Sequence, residues 1–192
     1  MVASAGALLV GSPVLIAVAI LVRASMGAPV LFRQERLGLR GRPFVLYKFR
    51  TMTDARDARG RLLPDGERLT KVGRVLRATT LDEAPELVNV LVGDLSLVGP
   101  RPLLVSYREL YTPEQWRRHE VRPGMAGPVV ASGRNALTWE EKFALDVWYV
   151  DHWTLWLDAK LLLRSLWRIV KREGVNQPGH ATVEYYRGRA RR

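Results

Sequence analysis

The chain has no cysteine among its 192 residues and only three histidines. Without thiols it can form neither disulfide bonds nor thiolate metal sites, and it has no thiol nucleophile. The histidines, His119, His152 and His180, lack the i, i+4 spacing that is typical of a zinc site. The sequence therefore excludes disulfide scaffolds and cysteine catalysis, and it argues against a metal centre built from histidine.

Acidic residues are scarce relative to basic ones, with 19 Asp and Glu against 30 Lys and Arg, and the formal net charge is +11. Such a charge indicates a polyanionic partner: a nucleic acid, anionic lipid headgroups or a phosphorylated substrate. The sequence has no helix-turn-helix, zinc-finger or RRM signature, so nucleic acid is not predicted as a partner. It also lacks a P-loop and a Rossmann fingerprint, so neither type of nucleotide-binding site is predicted.

Charged side chains are absent from Val2 to Val22, and Arg23 follows. As a helix this segment would be about 30 Å long, close to the thickness of a bilayer hydrocarbon core. Proline inside a helix removes a hydrogen bond, so a kink is predicted at Ser12 and Pro13, where the serine hydroxyl could satisfy the freed carbonyl. We predict that residues 1–26 form a re-entrant membrane helix. A spanning helix and a signal peptide are the alternatives, although no basic n-region precedes the segment.

Downstream, short strands and amphipathic helices are predicted. Turn residues and periodicity indicate a β-hairpin at 30–34 and 43–50, helices at 69–77 and 85–92, and later helices starting near 112, 138 and 155. We therefore expect an α/β fold, mostly helical with a small sheet, in which residues 27–192 form a single domain. The last helix carries basic residues and tryptophan, which suits either a membrane interface or a core-facing helix with a basic outer side.

Adjacent carboxylates occur at Asp82 and Glu83, just after Arg74 and Arg77. Thr80 and Glu83 have the spacing of a capping box, and acidic side chains favour the first turn of a helix, so a structural role would explain the pair. In the functional interpretation, a carboxylate beside arginines and a divalent cation attacks phosphorus, and its neighbour binds the same cation. Both interpretations stay open on these residues alone.

Arg101 lies between Pro100 and Pro102, whose rings fix the backbone around it. A guanidinium held in this way is suited to bind phosphate oxygens in a bidentate fork, and pairing with a structural carboxylate is the alternative. Lys48 lies in a predicted strand in which aromatic and basic residues alternate. That basic face fits phosphate or headgroup binding, and it equally fits an ordinary solvated surface.

Taken together, these motifs resemble the bacterial sugar transferases, the monotopic polyprenyl-phosphate phosphoglycosyl transferases. The resemblance covers nearly the whole chain. It rests on Ser12-Pro13, Tyr47-Lys48-Phe49-Arg50-Thr51-Met52, Leu81-Asp82-Glu83, Gly99-Pro100-Arg101-Pro102, Arg122-Pro123-Gly124, Gly133-Arg134-Asn135 and Asp146-Val147-Trp148-Tyr149-Val150. The short length and the tail from His180 to Glu184 look closest to the small enzymes that initiate bacterial N-glycan assembly on diacetylbacillosamine.

The resemblance implies a ping-pong transfer of phospho-sugar from a UDP-sugar to undecaprenyl phosphate, with release of UMP. In that scheme Asp82 is the nucleophile that forms a covalent phospho-sugar intermediate, and Glu83 supports Mg²⁺ and the acid/base steps, both acids being metal ligands. Arg77 and Arg101 match family arginines that hold phosphate groups, and Lys48 matches the lysine near that site.

The implied location is the bacterial inner membrane, with a monotopic anchor and the catalytic domain, residues 27–192, on the cytoplasmic face. The implied partners are the two substrates and membrane lipid, and homo-oligomerisation is left open. Two other interpretations remain: a membrane-tethered basic module that binds nucleic acid, and a membrane scaffold without catalysis.

Overall fold

An N-terminal helix leads into a hairpin and then into a series of short helices and strands. The computed structural model describes residues 1–133, 136–171 and 185–188. The helices are α1 (Val2–Met26), α2 (Asp65–Arg68), α3 (Lys71–Thr79), α4 (Glu86–Val92), α5 (Pro113–Trp116), α6 (Pro128–Ser132), α7 (Trp139–His152) and α8 (Leu155–Lys171). The strands are β1 (Leu31–Leu37), β2 (Pro43–Phe49), β3 (Ser96–Val98) and β4 (Gly124–Ala126). The predicted α/β fold, mostly helical with a small sheet, is confirmed, and a second small sheet is present.

Helix α1 continues through Pro13 without a break. The Ser12 hydroxyl donates a hydrogen bond of 2.8 Å to the Leu9 carbonyl. That carbonyl would otherwise pair with the backbone N–H at position 13, which proline lacks. The predicted role of the serine is thus confirmed, while the kink at Ser12 and Pro13 stays a prediction.

Both ends of α1 lie against the rest of the protein. Near its C-terminus, Val18 and Val22 are buried with Phe49 and Leu76. Near its N-terminus, Ser4 is fully buried, and the helix contacts α4 as well as α3. The opposite side is apolar and exposed, and the helix is long and apolar enough to cross a membrane.

The predicted hairpin is present, with β1 and β2 antiparallel over seven residues each. Helix α4 is attached to the edge of β2 by the buried side chain of Asn89. Its amide nitrogen donates to the Val45 carbonyl at 2.8 Å, and its oxygen accepts from the Tyr47 N–H at 3.2 Å. Because the amide occupies strand hydrogen-bonding groups, it fixes α4 beside the strand that carries Lys48.

A second sheet, the parallel pair of β3 and β4, was not predicted, because three-residue strands among Gly and Pro show no alternation. Here the backbones of the two segments approach so closely that side chains are excluded. A Cβ on Gly124 would lie 2.1 Å from the Gly99 nitrogen, and one on Gly127 would lie 2.1 Å from the Gly99 oxygen. Gly99 joins β3 to the Pro100-Arg101-Pro102 segment, so this glycine contact fixes the point at which that segment leaves the sheet.

The predicted helix starts at Thr112 and Thr138 are confirmed, and both form complete capping boxes. The predicted last helix is present as α8, which buries Leu161 and Ser165. Its other side exposes Leu163, Leu166, Trp156 and Trp167. It therefore covers core with one face and presents an apolar, tryptophan-bearing face outward, which suits a membrane interface. The tail motif from His180 to Glu184 lies outside the described residues, as do Arg134 and Asn135 of the Gly-Arg-Asn motif.

Candidate active site

The two adjacent acids lie in a 3₁₀ turn, Leu81–Glu83, between α3 and α4. Thr80 ends α3 in the left-handed conformation, with φ 59° and ψ 12°. The predicted capping box of Thr80 and Glu83 is wrong, because the Thr80 side chain makes no capping hydrogen bond. The Glu83 N–H instead bonds to the Thr80 carbonyl at 3.2 Å, and the Glu83 carboxylate is turned towards cations.

Glu83 joins two of the predicted phosphate-binding residues. Its Oε1 lies 2.9 Å from Nζ of Lys48 and also accepts a hydrogen bond from the guanidinium of Arg101. The ion pair raises the pKa of Arg101, which keeps that group charged. The side chain of Lys48 is only 16% exposed, so the solvated-surface interpretation of its strand face does not hold.

A third acid, Glu86, belongs to the same cluster and was not among the predicted site residues. Its Oε1 lies 3.0 Å from Nζ of Lys48, and its side chain is 2% exposed. Burial raises the pKa of Glu86. The signal available in the sequence was its i, i+3 spacing from Glu83, which places both carboxylates on one side of a helical segment.

Asp82 differs from both glutamates. Across the described ranges, its carboxylate accepts no hydrogen bond and forms no ion pair with any side chain. Burial and the charge of Glu83 raise the pKa of Asp82, while Lys48, Arg77 and Arg101 act in the opposite direction. The result is a half-buried carboxylate that feels the charge of three cations and pairs with none of them among the described residues.

Arg77 reaches this cluster from the last turn of α3. Its Nε donates to the Thr51 hydroxyl at 3.1 Å, which fixes the side chain beside the segment that follows β2. Gly73 permits this approach, because a Cβ there would lie 1.9 Å from the Thr51 carbonyl oxygen. All three predicted phosphate-binding cations, Lys48, Arg77 and Arg101, are therefore close enough to Asp82 to lower its pKa.

Arg36, on β1, is a further cation at this site that sequence reasoning missed. One of its terminal nitrogens donates to the Pro102 carbonyl at 3.2 Å, and another donates to the Gln34 side chain. Burial and the nearby charge of Arg101 lower the pKa of Arg36 to about 10. Two half-buried guanidinium groups whose charges act on each other favour a nearby anion.

Behind Arg101 lies a buried ion pair between Arg118 and Asp146, each 2% exposed. Nε and a terminal nitrogen of Arg118 donate to the same Asp146 oxygen at 3.0 and 2.6 Å. The terminal nitrogen also donates to the Arg101 carbonyl at 2.7 Å. Arg118 therefore positions the backbone of the Pro-Arg-Pro segment, a role that spacing along the chain does not reveal.

No cluster of three or more histidine or acidic side chains suited to a metal ion occurs within 1–133, 136–171 and 185–188. A magnesium ion does not require such a cluster, because it usually binds one or two carboxylates together with water and substrate phosphates. Asp82 and Glu83 supply oxygen ligands of the right kind. The donor set therefore fits Mg²⁺ brought in with a diphosphate, rather than a permanently enclosed ion.

The sequence matches proteins of a known family. Residues 1–172 match the family model described as bacterial sugar transferase. The chain is 57% identical over 167 residues to the uncharacterized sugar transferase EpsL of Bacillus subtilis, covering 87% of this chain and 83% of that protein. It is 38% identical over 170 residues to the UDP-glucose:undecaprenyl-phosphate glucose-1-phosphate transferase of Caulobacter vibrioides, covering 81% of this chain and 62% of that protein.

The undecaprenyl-phosphate galactose phosphotransferase of Salmonella typhimurium is 37% identical over 165 residues, covering 77% of this chain and 35% of that protein. The chain thus spans less than two thirds of both relatives whose names state a reaction. The matched region includes the acid pair, the Pro-Arg-Pro segment and the apolar N-terminal helix. The protein belongs to the bacterial sugar transferase family.

Proposed function

We propose that this protein transfers a sugar phosphate from a UDP-sugar to undecaprenyl phosphate and releases UMP, through a covalent intermediate on Asp82. The Caulobacter relative is named a UDP-glucose:undecaprenyl-phosphate glucose-1-phosphate transferase. The Salmonella relative is named an undecaprenyl-phosphate galactose phosphotransferase. The site supports the same chemistry here, because the charges of four half-buried cations, Arg36, Lys48, Arg77 and Arg101, act on one or more of the acids Asp82, Glu83 and Glu86.

The observation that carries the proposal is the difference among the three carboxylates. Glu83 and Glu86 are engaged by Lys48 and Arg101, and ion pairing makes a carboxylate a poor nucleophile. Asp82 is unengaged and desolvated within the described residues, and desolvation strengthens an anionic nucleophile. It is therefore the acid suited to attack phosphorus.

In the first step, an Asp82 carboxylate oxygen attacks the phosphorus that bears the sugar. The bond from that phosphorus to the bridging oxygen breaks, and the electron pair leaves with UMP. In the second step, a phosphate oxygen of undecaprenyl phosphate attacks the same phosphorus, and the bond to Asp82 breaks, which restores the carboxylate. Arg77 and Arg101 are suited to bind the phosphate oxygens in both steps, and Arg101 is pre-oriented by Pro100, Pro102 and Arg118.

Asp82 and Glu83 would hold Mg²⁺ at this site. The ion would neutralise charge on the diphosphate and stabilise the leaving phosphate of UMP. Lys48 offsets the repulsion between the neighbouring carboxyl groups of Glu83 and Glu86, because its ammonium lies about equally close to both, at 2.9 and 3.0 Å. Asp82, which Lys48 does not pair with among the described residues, stays available.

The test is Asp82→Asn in the full-length protein in detergent, with Asp54→Asn as the matched control. Asp54 is an exposed acid in the loop after β2, so its loss should leave UMP release unchanged. Asp82→Asn should reduce UMP release by at least about 10⁴-fold, because loss of a covalent nucleophile removes the reaction path itself. Enzyme quenched with UDP-sugar alone should carry a sugar-phosphate mass on Asp82. Undiminished turnover by Asp82→Asn would refute the proposal and would favour the nucleic-acid-binding or scaffold alternatives.

A panel of UDP-sugar donors would identify the sugar that the protein transfers. UDP-glucose and UDP-galactose correspond to the relatives' names, and UDP-diacetylbacillosamine corresponds to the resemblance to N-glycan enzymes. UMP release with each donor, measured with undecaprenyl phosphate present, identifies the substrate.

We further propose that α1 is re-entrant and that the catalytic domain lies on the cytoplasmic face of the inner membrane. Ser4 and Val22 are both buried against the domain, so the two ends of α1 lie on the same body of protein. A helix that placed its N-terminus across the membrane would lose the contacts of Ser4. The outward apolar face, with Leu9 77% and Val10 82% exposed, is suited to lipid.

The absence of cysteine makes this topology directly testable, since any introduced thiol is unique. Val2→Cys and Ala58→Cys each place a reporter at an exposed position, one at the helix start and one in the domain. In intact spheroplasts neither should react with an impermeant maleimide, and both should react after permeabilisation. Labelling of Val2→Cys alone in intact spheroplasts would establish a spanning helix instead.

A further inference from the structure

The residue that ends α3 adopts a backbone conformation that its type disfavours. Thr80 has φ 59°, and among the described residues only Arg40 shares a positive φ without being glycine. Helices commonly end in this conformation, but with glycine or asparagine, because a β-branched side chain clashes with its own backbone there. The presence of threonine therefore indicates that the side chain itself has a role.

The hydroxyl of Thr80 does not have a structural role in the described parts of the chain. Its oxygen is buried and has no hydrogen-bond partner there, and the capping bond that its spacing predicted is absent. The adjacent Thr79 provides a direct comparison, since its hydroxyl donates to the Val75 and Leu76 carbonyls at 2.9 and 3.1 Å. A buried hydroxyl without a partner is unfavourable unless a ligand supplies the missing hydrogen bond.

The position of Thr80 indicates which ligand. It begins the turn that carries Asp82, and its carbonyl accepts the Glu83 N–H, so one backbone hydrogen bond closes the turn that contains all three residues. Asp82 is the other polar side chain of this turn without a hydrogen-bond partner among the described residues. A hydroxyl donor and an unengaged carboxylate two residues apart suit a group that has both a hydrogen-bond acceptor and an electrophilic centre. A phosphoryl group has both.

We propose that the Thr80 hydroxyl donates a hydrogen bond to a non-bridging oxygen of the phosphoryl group that Asp82 attacks. This inference rests on the proposed function and adds a phosphoryl-binding residue to it. The disfavoured backbone conformation of Thr80 is then tolerated because its hydroxyl, at the start of the turn that carries Asp82, binds the ligand that Asp82 attacks. The hydrogen bond strengthens as negative charge builds up on the phosphoryl oxygens during attack.

The experiment compares Thr80→Ser, Thr80→Ala and Thr80→Gly with the control Thr79→Ala in the full-length protein. The measurements are the rate of adduct formation on Asp82 with UDP-sugar alone, the rate of UMP release with acceptor, and the Tm. Thr80→Ala and Thr80→Gly should slow both rates by about 10²-fold, the loss typical of one transition-state donor. Thr80→Gly should do so with an equal or higher Tm, because glycine accepts the backbone conformation without strain. Thr80→Ser should keep most of the activity, and Thr79→Ala should keep nearly all of it.

Wild-type rates in Thr80→Ala and Thr80→Gly would overturn the inference and leave the proposed function intact. Loss of activity in Thr80→Ser together with a fall in Tm in Thr80→Gly would also overturn it, since the side chain would then be structural. Failure of the proposed function gives a different result, namely that the wild-type protein turns over substrate without any adduct on Asp82.

Discussion

Arg117 and Arg118 are adjacent, and each pairs with an aspartate of α7, yet the two pairs should differ greatly in energetic importance. Arg118 and Asp146 are each 2% exposed, whereas Arg117 and Asp151 are 34% and 43% exposed. Asp146→Asn keeps the shape of the side chain but leaves the Arg118 guanidinium buried without its counterion. Breaking a buried pair from one side typically destabilises a protein by about 3–5 kcal/mol.

For a protein of this size, each 1 kcal/mol shifts Tm by about 2–4 °C, so Asp146→Asn should lower Tm by roughly 6–20 °C. Asp151→Asn is the matched control, and it should leave Tm within experimental error, because water screens an exposed pair. Thermal unfolding of the detergent-solubilised protein, followed by circular dichroism, measures both shifts. UMP release at a temperature where all variants are folded measures the consequence for the Pro-Arg-Pro segment.

The double variant Arg118→Met, Asp146→Leu separates stability from positioning. Replacing a buried ion pair by apolar side chains is often neutral, so Tm should recover towards the wild-type value. Activity should stay low, because the hydrogen bond from Arg118 to the Arg101 carbonyl is absent in this variant. Equal shifts for Asp146→Asn and Asp151→Asn, or full activity of the double variant, would refute the reasoning.

Three further changes test other parts of the site. Lys48→Met removes the ammonium between two buried carboxylates, so it should lower Tm and abolish UMP release. The double variant Lys48→Met, Glu86→Gln should recover Tm but not activity, because it also removes one of the two acids that lost their cation. Full recovery of turnover in the double variant would count against Lys48 as a site residue. Asp82→Asn should raise Tm at neutral pH and leave it unchanged below about pH 4. Burial raises the pKa of Asp82, so folding favours its protonated form, and the stability that this form contributes is lost as pH rises. Measuring the Tm of both proteins as a function of pH checks the sign. Gly73→Ala should lower Tm by several degrees and slow turnover, since its Cβ would lie 1.9 Å from a backbone oxygen, whereas Gly66→Ala, with nothing within 4 Å of its Cβ, should do neither.

Local patterns predicted much of the secondary structure. The charge-free run up to Val22 predicted α1, and the turn residues between β1 and β2 predicted the hairpin, because chain direction there is decided by neighbours in sequence. Thr112, as an N-cap before Pro113, and Thr138, as the start of a capping box, predicted helix starts correctly for the same reason: a cap satisfies donors within one turn. At Thr80 the same pattern failed, because the Glu83 side chain found stronger partners in distant cations.

The parallel pair of β3 and β4 shows where local patterns end. Its strands are three residues long, and their pairing depends on glycine backbones that touch across more than twenty residues of chain. Such close approach is decided by packing. Glycine is also common in ordinary turns, so Gly99 and Gly124 did not reveal the contact from the sequence.

By itself the sequence determined which groups the site could use: an acid pair, a proline-flanked Arg101, a strand lysine, and a helix able to enter lipid. The tertiary structure alone decided which of those groups pair with one another. It placed Lys48 between Glu83 and Glu86, brought Arg36 and Arg118 to the Pro-Arg-Pro segment, and left Asp82 without a partner among the described residues. The physical reason is that ion pairing depends on distance and burial in three dimensions, whereas the chain specifies only spacing in one.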